Sequence, residues 1–444
     1  MCKKDKYKNF TELVNCASEP LMLFNYGENT EKNQLSMLSL FSGCGGMDIG
    51  FEGGFICHKK SILSQKQWIE KNITENWVLL KKNRFNTIFA NDILQEAALT
   101  WTAYMKRMGK DSSIFHTDSI VDLVKSHLLG AKVFPESVDI VVGGFPCQDF
   151  SVSGKRKGFV SDKTHDGKVC DINIPSEETR GKLYYWMKQV IDITQPKIFV
   201  AENVKGLVSL GDVRNIIQND FASAGKNGYI VLMPKILHSG NYGVPETRER
   251  VIFIGIKRDA LNPNIRQILE SGNIPQKYDP YPQPTHDFNI NNSNLSKPVV
   301  CKDVIGDLLE PEESLDLSHR FYSKAKYMGK HCQGQSEIDI NGLSPTIRSE
   351  HHGNIEFRRL STDHGGKNVE ELNAGLKERR LTPRECALIQ TFPPDYPFVR
   401  YKKGSSRFAV SQSGAYKVIG NAVPPILAYN IAKRLEELWS IYFD

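Results

Sequence analysis

The chain has 444 residues, 40% of them hydrophobic and 24% charged, enough to bury a large core divided between two domains. Its 57 lysines and arginines against 51 aspartates and glutamates leave a formal charge of +6, which permits a polyanionic partner without requiring one. The nine cysteines are scattered with no C-x-x-C pair, and no apolar run approaches the roughly 20 residues of a membrane span, so reduced thiols, no metal site and no membrane association are expected.

Residues 1–34 are rich in Lys and Asn, with one apolar patch at Leu21-Met22-Leu23-Phe24, and read as an extension ahead of the first domain. Leu35–Phe41 is an apolar run that breaks into Ser42-Gly43-Cys44-Gly45-Gly46, the strand, glycine-loop and helix order of a mononucleotide-binding unit. The loop lacks G-x-G-x-x-G spacing, which favours a nucleoside-type ligand over a pyrophosphate. Across 58–84, Ile62, Ile69, Ile73, Trp77 and Leu80 recur at helical spacing, and an amphipathic helix with a solvated Lys face is expected. Thr87–Asp92 is a second strand closing on an acid, placed either to take ribose hydroxyls or to cap the following helix. Phe115-His116-Thr117-Asp118 is a third strand end with the same ambiguity.

Val138–Gly144 is a branched apolar run of the kind found in buried parallel strands, and it stops at Gly143-Gly144-Phe145-Pro146-Cys147. Open α/β sheets hold their ligands at the C-terminal ends of such strands. Cys147 is therefore either a nucleophile or a small buried hydrophobe. The basic run Gly154-Lys155-Arg156-Lys157-Gly158 suits a loop closing on phosphates, or a solvated turn. Ile198–Val204 carries Glu202 at its end, and glutamate is seldom buried unpaired. Arg248 and Arg250 alternate into the strand 251–255 and so face one side.

Residues 259–300 are rich in Asn, Pro and Gln and read as a loop-dominated entry to a second domain. From 301 to 400 polar and basic clusters dominate, among them Ser344–Asn354 and Arg358-Arg359; His351-His352 is read as a hydrogen-bonding surface rather than a metal site. Leu381–Pro393 has Thr382 as helix cap, Pro383 in the first turn and Glu385 at capping-box spacing. A last helix is expected to open at Tyr416–Pro425 and to run to about Leu438.

Taken in this order, the blocks resemble those of the DNA cytosine-5 methyltransferase family, of the bacterial restriction-modification type. Phe41-Ser42-Gly43-Cys44-Gly45-Gly46 is similar to its cofactor loop, Pro146-Cys147-Gln148 to its nucleophile motif and Glu202-Asn203-Val204 to its acid motif. Arg248-Glu249-Arg250, the Arg384-Glu385…Gln390 helix and Gly420-Asn421-Ala422-Val423-Pro424-Pro425 resemble its remaining blocks. Three positions depart from the family pattern: Ser39 where an acid is common, Ile93 where an aromatic is common, and Glu246 for the usual Gln.

The resemblance implies an α/β, Rossmann-like S-adenosylmethionine-dependent methyltransferase fold with a smaller target-recognition domain. It divides the chain into an extension at 1–34, a catalytic and cofactor-binding domain at 35–257 completed by 405–444, and a recognition domain with interdomain helix at 258–404. S-adenosylmethionine is implied as cofactor, held by Phe41, Ser42, Gly43, Gly45, Gly46, Asp92, Ile93, Asp118, Pro146, Asn421 and Ala422. Catalysis falls to Cys147, adding to C6 of a flipped cytosine, with Glu202, Arg248 and Arg250 around the base. Gln148, Ser151, Ser153, Lys155 and Arg156 are implied to meet the DNA strand, and Thr346, Arg348, Arg358 and Arg359 to read bases. The implied partner is double-stranded DNA, bound by a cytoplasmic monomer at a short site of GGNCC type, with a cognate restriction endonuclease acting on the same site. Two alternatives stand beside this: transfer to cytosine in tRNA, and a catalytically silent DNA-binding protein.

Overall fold

Leu35–Leu40 (β1) forms the middle of a sheet because its side chains are buried on both faces, as a central parallel strand requires. The computed structural model describes residues 34–146, 183–209, 212–349 and 355–444. From β1 the chain enters the helix Gly46–Glu52 (α1), then Ile56–His58 (β2), Ile69–Asn72 (β3) and Trp77–Leu80 (β4). It returns to the sheet at Phe85–Asn91 (β5) and continues through Gln95–Met105 (α2), Phe115–His116 (β6), Ile120–Leu128 (α3) and Ile140–Gly144 (β7). Leu183–Thr194 (α4), Ile198–Val204 (β8), Val213–Ala222 (α5), Tyr229–Val231 (β9), Lys235–His238 (β10) and Glu249–Lys257 (β11) complete this part.

The strand order is β10-β11-β8-β7-β1-β5-β6, with β9 also on β11. From β8 to β6 the neighbours are parallel, while β11 is antiparallel to β8, β9 and β10. Alternate residues of these strands feed two separate cores. Met37, Ile140, Val142, Val200 and Ile254 pack with α1 and α2 on one face; Leu38, Val141, Phe199 and Phe253 pack with α3, α4 and α5 on the other. Each such fully buried side chain stabilises the fold by roughly 1.5–3 kcal/mol. A mostly parallel sheet covered by helices on both faces is the expected α/β, Rossmann-like architecture.

After a helix at Pro263–Glu270 (α6), capped by Asn262, the chain runs through loops and the short helices Cys301–Ile305 and Leu317–Arg320 to Phe357–Arg359 (β12) and Arg379–Arg380 (β13). Pro383–Ile389 (α7) follows with Thr382 accepting from the Glu385 amide and the Glu385 carboxylate accepting from the Thr382 amide, the anticipated capping box. Gln412–Asn421 (α8) and Pro425–Phe443 (α9) end the chain and return to the first core. No helix among the described residues is long and apolar enough to cross a membrane.

Two expectations about secondary structure are corrected. Residues 58–84 are not a helix: β2, β4 and β3 make a small antiparallel sheet, turned between β3 and β4 by Thr74, whose hydroxyl accepts from the Asn76 and Trp77 amides. Branched residues on both sides of a local Thr turn favour this hairpin over a helix. The final helix is two helices, because Pro424 and Pro425 force the preceding residues extended and the helix restarts with proline in its first turn.

Candidate functional site

A cleft of about 900 Å³ opens at the C-terminal ends of β1, β5, β7 and β8. One part is lined by Phe41, Ser42, Gly43, Gly46, Asp92, Ile93 and Leu94; another by Gly144, Phe145, Pro146, Glu202 and Arg250; the far wall by Thr346–Ser349 and Gly420–Val423.

The first part follows directly from the β1 motif. Phe41 has φ +52°, a conformation that a bulky side chain adopts only under constraint from its surroundings, and its ring lines the cleft. The Asp92 carboxylate accepts from the Gly43 amide (3.0 Å) and the Leu94 amide (2.8 Å), so it both caps the next segment and fixes the glycine loop. Burial pushes its pKa up, opposed by those two amides and by Lys417. A carboxylate has lone pairs to spare after two such bonds, so hydroxyls of a ligand still find acceptors there. Asn421 and Ala422 line the facing wall. Gly45, expected in the site, instead backs onto Trp101, and Asp118 is exposed outside the lining, which Ser119 and Ile120 provide in its place.

At the second part, Gly144 stands opposite Glu202 in the parallel pairing of β7 with β8, and a Cβ at Gly144 would fall 2.5 Å from the Glu202 carboxylate. The glycine before Phe145-Pro146 is thus required by the acid beside it. Glu202 Oε1 lies 2.6 Å from Arg250 Nε, and burial raises the pKa of the carboxyl while Arg250 and Arg248 oppose that rise. Asn203 donates to the Phe145 carbonyl (3.1 Å) and so fixes the chain just ahead of Pro146. Cys147, Gln148, Ser151, Ser153, Lys155 and Arg156 lie outside the described residues, as do His351 and His352.

The third wall is held by groups that sequence spacing cannot pair. Arg248 is fully buried: it donates to the Ile347 carbonyl (3.0 Å) and to the Gly420 carbonyl (2.8 Å), which makes it a clasp between two remote segments rather than a group free to meet a ligand. Burial and the neighbouring Arg250 lower its pKa to about 10. Glu246, also fully buried, accepts from the Ile347 amide (2.6 Å) and lies 3.8 Å from Arg248. The departure at Glu246 therefore serves the clasp. Gly420 is needed here too, since a Cβ would fall 2.1 Å from the Arg348 backbone. Thr346 donates to the Thr247 carbonyl (3.2 Å), and Arg348 reaches Gln333 (3.0 Å) and Glu356 (2.9 Å) while lining the cleft.

Arg358 and Arg359, expected to read bases, are corrected. Both are buried, with side chains 6% and 1% exposed, and are paired with Glu371; Arg359 also pairs with Glu310. Glu310 and Glu385 in turn hold Arg379, so the cluster anchors β12 and β13 to α7. Both guanidinium groups are spent on these carboxylates, and truncating one member of such a buried pair would strand the other charge. Gln333 and Lys417, which line the cleft, were not foreseen; polar residues outside any motif carry no signal in one sequence.

Residues 35–437 match the family model described as C-5 cytosine-specific DNA methylase. The chain is 31% identical over 417 residues to the Type II methyltransferase M.BsuRI of Bacillus subtilis, covering 93% of this chain and 81% of that one. It is 31% identical over 421 residues to the Type II methyltransferase M.BspRI of Lysinibacillus sphaericus, covering 93% and 84%.

Proposed function

The chain belongs to the C-5 cytosine-specific DNA methylase family and is a DNA (cytosine-5)-methyltransferase of the restriction-modification type; from that premise we propose that it methylates a cytosine flipped out of a short duplex site, through a covalent bond to Cys147. The observation that carries this reading is the Glu202–Arg250 pair (2.6 Å), which opens into the same cleft as Phe41, Asp92 and Pro146.

The cofactor implied by the family, S-adenosylmethionine, fits the donor set of the first part of the cleft: an aromatic ring at Phe41, a carboxylate at Asp92 with acceptors to spare, and hydroxyls at Ser39 and Ser42. When bound, it supplies an electrophilic methyl group. The protein's own part is to make carbon 5 of cytosine nucleophilic. Cys147, the residue after Pro146, adds as thiolate to C6, and electron density rises at C5 and N3. Glu202, its carboxyl pKa raised by burial against the pull of Arg250 and Arg248, gives a proton to N3 as that density develops. Arg250 holds the carboxyl and faces the O2 edge. After C5 takes the methyl group, N3 returns its proton to Glu202, a base removes the C5 proton and the thiolate leaves, which restores the ring. Carbon 6 is stacked inside duplex DNA, so the base must first be extruded, at a cost of a few kcal/mol.

We read 35–257 with 405–444 as the catalytic part, 258–404 as the recognition part, and Thr346 and Arg348 as the groups nearest the bases. The enzyme is further proposed to act as a monomer in the bacterial cytoplasm and to protect its site from a cognate endonuclease. Cys147→Ser is expected to bind duplex DNA yet transfer no labelled methyl group, and the wild-type chain to form an adduct with 5-fluorocytosine duplex. Full transfer by the serine variant would refute the nucleophile. Parallel assays on duplex DNA and tRNA test the substrate, and bisulfite sequencing of DNA from expressing cells reads the site.

A further inference from the structure

Beneath the glycine loop lies a buried carboxylate that the proposed reaction does not use. Asp48, on α1, is fully buried, and both groups bonded to it are neutral: the Ser39 hydroxyl at one oxygen and the Trp101 indole N–H, at 2.5 Å, at the other. Ser39 accepts in turn from the Ser42 hydroxyl (2.8 Å), and Ser42 accepts from the Asn91 amide (3.1 Å). The Ser42 hydroxyl also lies 3.1 Å from the Ser39 carbonyl; with its hydrogen on the shorter contact to the Ser39 hydroxyl, the donors all run one way, from Asn91 through Ser42 and Ser39 to the carboxylate. Both serines line the cleft.

Such a chain is polarised along its length, because each hydroxyl that donates toward an anion becomes a better acceptor itself. The spare lone pairs at the cleft end therefore carry part of the charge of Asp48. The nearest charged groups do not cancel it. Lys110 is paired with Glu52 at 2.9 Å, and Glu52, on the same helix, adds negative charge. Burial pushes the Asp48 pKa up to about 6, which still leaves the group ionised at neutral pH. An anion buried without a cation is costly unless something else offsets it.

We propose that Asp48 is a positioning residue whose charge, relayed through Ser39 and Ser42, makes the cleft select a positively charged cofactor over its neutral product. The inference rests on the reading of this cleft as the S-adenosylmethionine site. S-adenosylmethionine carries one more positive charge than S-adenosylhomocysteine and is otherwise nearly the same molecule, so comparing the two isolates the charge.

The test is calorimetric binding of each compound to the full chain and to Asp48→Asn. The variant is expected to lose roughly tenfold in affinity for S-adenosylmethionine, the size of one charge-assisted hydrogen bond, with the Kd for S-adenosylhomocysteine unchanged. Equal loss for both compounds would mean a merely structural role and would overturn the proposal, as would no loss for either. Ser39→Ala cuts the same chain while leaving the Trp101 bond in place, and it reads the same ratio if Asp48→Asn does not fold. Failure of the wild-type chain to bind either compound would instead bring down the reading of the cleft itself.

Discussion

The two halves of the cleft are built by different physics. Around β1 and β5 the carboxylates of Asp92 and Asp48 are held by hydrogen bonds from hydroxyls, amides and an indole, between residues of one motif or of nearby elements: Gly43 to Asp92, Ser39 and Trp101 to Asp48, Ser42 to Ser39, Asn91 to Ser42. Around β8 and β11 they are held by buried charges, Glu202 with Arg250 and Glu246 with Arg248, and the second pair clasps segments from far along the chain. The first half tolerates small adjustments, because each bond is modest and locally replaceable. In the second half, removing one partner leaves a charge in the interior.

The largest expected effect is at Glu202. Glu202→Gln should lower the rate of methyl transfer by roughly a hundred- to ten-thousand-fold, the range for a lost general acid, with S-adenosylmethionine affinity retained; single-turnover kinetics with calorimetry separate the two. Loss of cofactor binding as well would show that the halves are not independent. Arg248→Met should destabilise the chain by about 3–5 kcal/mol in denaturant unfolding, since Glu246 and two carbonyls lose their partner together.

Asp48 sharpens the contrast through pH. Its folded pKa, about 6, lies above its ordinary value of 3.8, so its contribution to stability is fully present below about pH 4 and lost as pH rises through 6. The span is roughly 3 kcal/mol, and unfolding free energies measured from pH 4 to pH 7.5 should show a slope that Asp48→Asn lacks. The smallest effect is expected at Glu246→Gln: the side chain keeps an acceptor for the Ile347 amide, and Arg248, 3.8 Å away, keeps the Ile347 and Gly420 carbonyls as partners for its buried charge. The variant's stability should stay within about 1 kcal/mol of the wild-type chain. A loss as large as that of Arg248→Met would mean that the 3.8 Å charge pair, not the amide bond, holds the wall.

The same contrast explains what could be read in advance. The β1 loop, the strand ends at Asp92 and Glu202, and the capping box at Thr382 are local patterns, and the structure has them where spacing placed them. The Arg248 bonds to Ile347 and Gly420 join residues with no shared period, so the sequence shows two arginines in alternation and nothing of their different tasks. Arg358 and Arg359 misled for a related reason: a basic pair looks alike on a surface and in a buried cluster until Glu310, Glu371 and Glu385 are seen around it. The hairpin at 69–80 was missed because branched residues at mixed spacing satisfy both periods, and a single Thr turn decided between them.

The packing of α9 on α1 bears on how the molecule is made. A Cβ at Gly50 would fall 2.4 Å from Ala428, the rings of Phe55 and Tyr429 meet edge to face at 5.9 Å, and Glu436 caps the Arg84 amide. During translation the helix behind the glycine loop stays uncovered until the residues after Pro425 leave the ribosome. A chain that stops short of Pro425 lacks that cover, and the α1 face at Gly50 is left open to water.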